Sequence, residues 1–404
     1  MAAKMVVKSE VEPNDIIKRA KNDYSWKILE LLGSGGYGKV FKVIQVKEDG
    51  TLIAHAKEYA MKTEMKSTNK NTSRLKIEKN VMEAYAKSET LLKEHFPEMV
   101  DLGQTSCFKW IVMTLVGPSL EALKRNGFTI STALQCGLQT LKAIRDFHQM
   151  GFLHRDLKPA NFCVGIHANI ELIYMLDFGL TRMYRKKDGT IRPPRQRTKM
   201  IGTPRFCSRA SHRKMELSRK DDFESWYFML LDFVDHEKGI PWRGKSREQA
   251  YQLKQQVFDQ PTWISTISPL IPSSFGTCAE YMNELEYESD VEWSVFRDVI
   301  TEYARKAKIT LKERLDWIPA TGSSRVPIVP GPAIKTLAVQ DKESLNNNNS
   351  KLGQIDNNSI SSGDDETLDV GNGNGKGKRS GSKSKQRSKR GTVTVTTTTT
   401  VEMK

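Results

Sequence analysis

The sequence predicts an α+β protein: a mainly β amino-terminal part, a larger mainly helical part and a long polar tail. Three observations predict it. Runs of β-branched and aromatic residues dominate up to about residue 62, and apolar residues at three- and four-residue spacing dominate from about residue 131. After residue 319 the texture turns to Pro/Gly-rich and then Asn-, Ser- and Thr-rich low complexity, which cannot bury enough apolar surface to offset chain entropy. The boundaries that follow are an amino-terminal extension over 1–23, one folded domain over 24–318 and a disordered basic tail over 319–404, with no internal repeat.

The first expected strand, Trp26-Lys27-Ile28-Leu29, leads into "LLGSGGYGKVFKV" over 31–43. Two phosphate-gripping patterns compete there. Gly33, Gly38 and Lys39 fit G-x-x-x-x-G-K, while Gly33, Gly35, Gly38 and Val40 fit G-x-G-x-x-G-x-V. The first needs a Ser or Thr hydroxyl after the lysine and a helix starting at that point. Position 40 is Val, and the run to Val46 is a β-branched strand ending in a Glu48-Asp49-Gly50 turn. The second pattern therefore survives, with an ordinary tight turn still a competitor. A third strand is expected over Thr51-Leu52-Ile53-Ala54, running on to Tyr59-Ala60-Met61-Lys62. In "SRLKIEKNVMEAYAK", Val81, Met82 and Tyr85 stand three, four and seven residues after Glu78, so a helix would bury that carboxylate, and a buried carboxylate needs a partner. The segment "STALQCGLQTLKAIRDFHQMG" predicts a helix with a Ser131 start, a Leu134, Leu138 and Leu141 stripe and Gly151 as its stop.

Composition is that of a soluble protein, 38% hydrophobic and 27% charged, with no apolar run of membrane-spanning length. The start "MAAKMVVKSEVEPND" lacks the layout of a secretory signal. Cys107, Cys136, Cys163, Cys207 and Cys278 are odd in number and never form a CxxC pair, which predicts reduced thiols in a cytosolic or nuclear protein and no zinc site. Much of the net charge of +15 sits in the tail segment "GKGKRSGSKSKQRSKRG". A solvated disordered stretch is its plain reading; a nuclear signal and a grip on an anionic polymer are the sharper ones. The expected location is cytoplasmic, with the tail as a candidate nuclear signal, no membrane partner and no favoured nucleic-acid partner.

The downstream residues decide what the glycine loop serves. Lys62 closes "YAMK", a variant of V-A-I-K, and its pairing with Glu78 would satisfy the buried carboxylate and hold an ammonium against ATP phosphates. "LHRDLKPANF" over 153–162 reproduces H-R-D-L-x-x-x-N. Asp156 is placed to accept a hydroxyl proton, Lys158 to neutralise the transferred phosphoryl and Asn161 to ligate Mg²⁺. "YMLDFGL" then supplies Asp177 as the main metal ligand.

These motifs, in this order, resemble a eukaryotic-type protein kinase over about 24–317, which implies a bilobed fold, ATP and Mg²⁺. In place of A-P-E stands "GTPRFCSRASH"; with "IVMTLVGPSLEAL", "SRKDDFESWYFMLLDF" and "IPWRG" it is similar to the casein kinase I family. "YMLDFGLTRMY" and "GTIRPPR" resemble the tau-tubulin kinase branch. The resemblance implies that Leu32, Gly33, Ser34, Gly35, Gly36, Tyr37, Gly38, Lys39 and Val40 cover the nucleotide, with Met113 as gatekeeper and Thr114 and Leu115 at the adenine-contacting hinge. It also implies that Thr203 bonds near Asp156 and Lys158, that Asp222 braces the catalytic loop and that Arg195 and Gly244 match an anion site. Ala210 stands where the family has Asn, which alters the hydrogen bonding expected around His212.

Between Arg182 and Arg213 the chain carries eleven Lys and Arg residues and one acidic residue, Asp188. Such a rim suits acidic or pre-phosphorylated protein substrates, because Arg forks match phosphate oxygens; a solvated charged loop is the plain alternative. Lys158 two residues after Asp156 favours Ser/Thr over Tyr acceptors. A monomeric Ser/Thr kinase active without activation-loop phosphorylation is the expectation, against a nucleotide-binding pseudokinase and an anion-binding adaptor acting through the tail.

Overall fold

A computed structural model describes residues 11–18, 24–35, 38–66, 73–88, 93–186 and 188–319. The expected tail from 320 onward, Lys187 and, of the glycine loop, Gly36 and Tyr37 lie outside the described residues.

The amino-terminal part is an antiparallel sheet of β1 (Ile16–Ile17), β2 (Ser25–Gly35), β3 (Gly38–Val46), β4 (Glu58–Met65), β5 (Met99–Gln104) and β6 (Phe108–Thr114), in the order β1-β2-β3-β4-β6-β5. Alternation along these strands buries Trp26, Ile28, Phe41, Val43, Met61, Trp110 and Val112 in one small core. Val11 and Ile17 join it, and Ile16 pairs with Lys27, so residues 11–18 add an edge strand ahead of the expected start at 24. The strand expected from 51 onward is interrupted. Asp49 accepts hydrogen bonds from Thr51 N (2.9 Å) and Oγ1 (2.7 Å), and the Ala56 amide closes a turn on the Ile53 carbonyl with His55 left-handed at φ 57°. This local side-chain turn overrides the β propensity of Leu52 and Ile53, and β4 begins only at Glu58.

Between β4 and β5 lies α1 (Arg74–Ala86), which buries Leu75, Glu78, Val81, Met82 and Tyr85 as its spacing requires. The rest is mainly helical: α2 (Leu120–Leu123), α3 (Ile130–Gln149), short strands β7 (Phe152–Leu153), β8 (Phe162–Val164), β9 (Ile173–Met175) and β10 (Arg182–Met183), then α4 (Arg209–His212), α5 (Arg219–Val234), α6 (Arg247–Asp259), α7 (Trp263–Ile267), α8 (Gly276–Glu284) and α9 (Trp293–Lys306). The cap of α3 is Thr129, whose side chain accepts from Thr132 N, rather than Ser131, whose hydroxyl donates instead to Thr310 O at 2.7 Å. Gly151, at φ 89°, ends the α3 segment as expected. Helix α5 is buried on every side, with Trp226, Tyr227 and Phe228 fully buried, and forms the central pillar of the large lobe against α3.

Candidate active site

The site is assembled where the sheet meets the helical part. In β4, Lys62 lies opposite Val40 of β3 and Ile111 of β6, which aims its side chain toward α1. Glu64, two residues on, accepts from the amides of Arg74 (3.1 Å) and Leu75 (2.7 Å), fixing the start of α1 against the same strand. Lys62 Nζ then donates to Glu78 Oε1 and to Asp177 Oδ1, the latter at 3.0 Å. Burial opposes the charge on Lys62, but Asp177 and Glu78 outweigh it and hold the pKa above the ordinary range. Burial likewise works against ionised Asp177, yet Lys62 holds it well below the usual carboxylate range, whereas burial and Asp177 together push Glu78 up to about 7. The same region shows why Gly38 is glycine: at φ 146°, an added Cβ would stand 1.8 Å from the Thr63 carbonyl oxygen.

The catalytic loop is held from beneath by α5. Asp222, almost fully buried, accepts from the amides of His154 (2.8 Å) and Arg155 (2.9 Å) and pairs with His148 Nε2 (2.8 Å). Burial would raise the Asp222 pKa, but the His148 bond and neighbouring histidines hold it below the ordinary value. Arg155 takes a left-handed backbone at φ 68°, turning the chain so that the Asp156 carboxylate meets Lys158 and Thr203. His154 Nδ1 accepts from the Asp156 amide (3.3 Å), which leaves Nε2 as the donor to Leu176 O (3.0 Å) and ties the loop to the strand before Asp177.

Asp156 itself is triply held. Thr203 donates to its Oδ1 from both N and Oγ1, each at 2.8 Å, and Lys158 Nζ donates to Oδ2 at 2.8 Å and to Thr203 Oγ1 at 2.9 Å. Gly202, at φ 90°, allows this approach, since a Cβ there would meet the Arg155 carbonyl at 2.7 Å. The carboxylate oxygens retain lone pairs for a hydroxyl proton. Asn161 Nδ2 donates to the Asp156 carbonyl (2.8 Å), so its Oδ1 is the amide atom left to accept. Asn161 and Asp177 thus offer the two oxygen donors a hard divalent cation needs, and the Asp177 side chain is 38% exposed. ATP with a divalent cation would supply the phosphoryl group and the charge that neutralises it; the chain contributes Lys62 to hold the phosphates, Asp156 to take the acceptor proton and Lys158 to offset negative charge at the attacked centre.

Phe178 locks Asp177 in this orientation. It is buried, stacks on Phe147 (5.4 Å) and packs edge-on against Tyr85 of α1 and His154, both at 6.0 Å. Met113 closes β6 opposite Ala60, and Leu32, Val40, Ala60, Met113 and Leu115 form a small apolar cluster of the kind that receives a flat ring.

Arg195 forks onto Glu216, whose carboxylate is 1% exposed and which also faces Arg182 at 3.7 Å. Gly244, at φ 73°, lies in the turn after Trp242, whose Nε1 donates to Arg205 O at 2.7 Å. Two residues were missed by sequence reasoning. Glu216 lies three positions past the basic stretch, and its burial follows from its arginine partners. Lys254 is fully buried, donating to the carbonyls of Pro204 (2.8 Å) and Cys207 (2.6 Å), and bonds His212 Nε2 at 3.2 Å, in the segment where Ala210 stands at the family's asparagine position. The signal for Lys254 was present: it sits on the same helical face as Ala250, Val257 and Phe258, the pattern that exposed Glu78.

The protein kinase domain family matches residues 26–294. The Caenorhabditis elegans protein ZK507.3, whose name describes a candidate serine/threonine-protein kinase, is 51% identical over 311 residues, 76% of this chain and 77% of that protein. The C. elegans serine/threonine-protein kinase spe-6 is 32% identical over 311 residues, 75% of this chain and 78% of its own. A C. elegans candidate casein kinase I, C03C10.2, is 32% identical over 248 residues, 60% and 67% of the two chains. A lysine paired to one carboxylate on its own side of the cleft and to one across it, an aspartate steadied for a hydroxyl proton, and relatives of this kind lead to one assignment: the chain belongs to the protein kinase family, and is of its serine/threonine kind.

Proposed function

We propose that this serine/threonine kinase uses Mg²⁺ with ATP and phosphorylates acidic or pre-phosphorylated segments of proteins, in the manner of the casein kinase I family and its tau-tubulin kinase branch. The observation that carries the transfer reaction is Asp156 held at once by Thr203 and Lys158, a geometry in which its carboxylate is oriented before substrate arrives. A hydroxyl proton passes to Asp156 as the acceptor oxygen bonds to the γ-phosphorus and the bond to the leaving ADP breaks. The basic rim supports the acidic preference, and the casein kinase I relative supports the subtype.

Independence from activation-loop phosphorylation is supported by Glu216. Its carboxylate pairs with Arg195 and faces Arg182 beside Arg155, offsetting one of the three positive charges there, and Arg155 Nε donates to Leu180 O at 2.7 Å, next to the metal-binding loop. Burial, Arg182 and Arg195 lower the Arg155 pKa to about 10, and Glu216 opposes them, which is the work an added phosphate would otherwise do.

The test is ATP/Mg²⁺ transfer to an acidic protein by phosphatase-treated wild type, by Asp156→Asn and by a chain ending at residue 319. Wild type and the shortened chain are expected to transfer phosphate, with Asp156→Asn reduced by about 10²–10⁴-fold while ATP binding persists. No transfer by wild type above the Asp156→Asn background would return the pseudokinase or tail-adaptor reading.

A further inference from the structure

We propose that a pocket of about 370 Å³ beside the activation segment, lined by Arg213, Lys214 and Arg247, seats an anionic side chain, phosphate or carboxylate, of the protein substrate. This rests on the acidic-substrate reading above and assigns it to residues other than Arg195.

Arg182 and Arg195 are committed to Glu216, Arg205 to Glu121, and Arg209 to Glu224 with its guanidinium 3.5 Å from the Phe258 ring centre. Three carboxylates thus engage these four arginines and hold their side chains in place within the fold. Arg213, Lys214 and Arg247 are exposed, and among the described residues none of their side chains has an ion-pair partner. They converge on one concavity, with Glu248 as its single carboxylate. Three cations facing one anion in a pocket leave an excess that a phosphate dianion would match.

The pocket is also built, and close to the chemistry. Met200 on its wall lies two residues before Gly202 and three before Thr203, which holds Asp156. Lys214 keeps a left-handed backbone, φ 57°, tied by its amide to Ser211 O (2.9 Å) and by its carbonyl to Thr198 N (3.2 Å), a conformation costly for a residue with a side chain. Arg247 opens α6, a 13-residue helix whose amino end adds its own positive potential. His212, at the back, is held neutral: burial and Lys254 lower its pKa to about 4, so the pocket's charge is set by the three cations and Glu248.

The experiment compares serine peptides carrying phosphoserine, glutamate or alanine at each position within four residues of the acceptor, read as the ratio of kcat/KM for the anionic peptide to that for its alanine counterpart. Arg213→Ala combined with Arg247→Ala is expected to lower that ratio by about tenfold or more, since each charge-assisted contact carries roughly tenfold in affinity. Glu248→Gln is expected to raise it, a change that misfolding would not produce. A wild-type preference for anionic peptides that both variants retain overturns the subsite alone. A wild type with no such preference overturns the acidic-substrate reading and the subsite with it.

Discussion

Lys62 carries one positive charge between two carboxylates that respond to it differently. Asp177 stays ionised, while burial leaves Glu78 with a pKa of about 7, raised from 4.5. The sign for catalysis follows. Below about 7 Glu78 takes a proton and no longer fixes the ammonium, so kcat/KM for ATP is expected to fall by about tenfold per unit as pH drops below that value. Glu78→Gln is expected to abolish that limb of the profile and to lower ATP affinity at pH 8; an unchanged pH profile in Glu78→Gln would show that another group titrates. At this scale the sequence was informative wherever a residue's role depends on near neighbours. Glu78 was exposed by its own helix, and Asp156, Lys158 and Asn161 by one ten-residue string. Thr203 and Asp222 were placed by resemblance alone, since their bonds to the catalytic loop span 47 and 67 or more residues of chain. Arg195 shows the limit of counting charges: a list of arginines does not say which are already answered by a buried glutamate.

Among the elements, α6 has the least obvious task. Its buried Lys254 projects under the segment that carries Thr203 and satisfies two backbone carbonyls there, with the rings of Phe228 and Trp242 at 5.0 and 5.6 Å supplying a cation-binding wall. Burial lowers its pKa to about 8. Lys254→Met keeps the volume and strands both carbonyls, so a loss of about 2–4 kcal/mol is expected, checked by denaturant unfolding, together with a drop in kcat as Thr203 loosens from Asp156. Unaltered stability would mean that water replaces the ammonium. Element types were legible from period alone, as α1 and α3 show. Element ends were not, because they turn on single hydrogen bonds: Asp49 ended a strand that propensity continued, and Thr129 took the cap that Ser131 offered.

Across the whole molecule, the two lobes meet at Lys62 and Asp177 and at the Phe178 column, and nucleotide would touch both sides of that seam. Mg²⁺ with ATP at about 100 times its dissociation constant is therefore expected to stabilise the fold by about 2.7 kcal/mol, seen as a rise in Tm that a chelator reverses. ATP that raises Tm equally with and without the cation would show that Asn161 and Asp177 hold no metal. The two-part architecture was legible because strand and helix periods segregate along the chain, whereas the edge strand at Ile16–Ile17 was not, since two residues carry no period. One feature reaches beyond the molecule. Glu216 is a genetically encoded side chain, which no phosphatase removes. On the proposal that it replaces a regulatory phosphate, a cell restrains this enzyme through its synthesis, its degradation or the supply of suitably acidic targets, and an upstream enzyme acts most effectively by marking those targets.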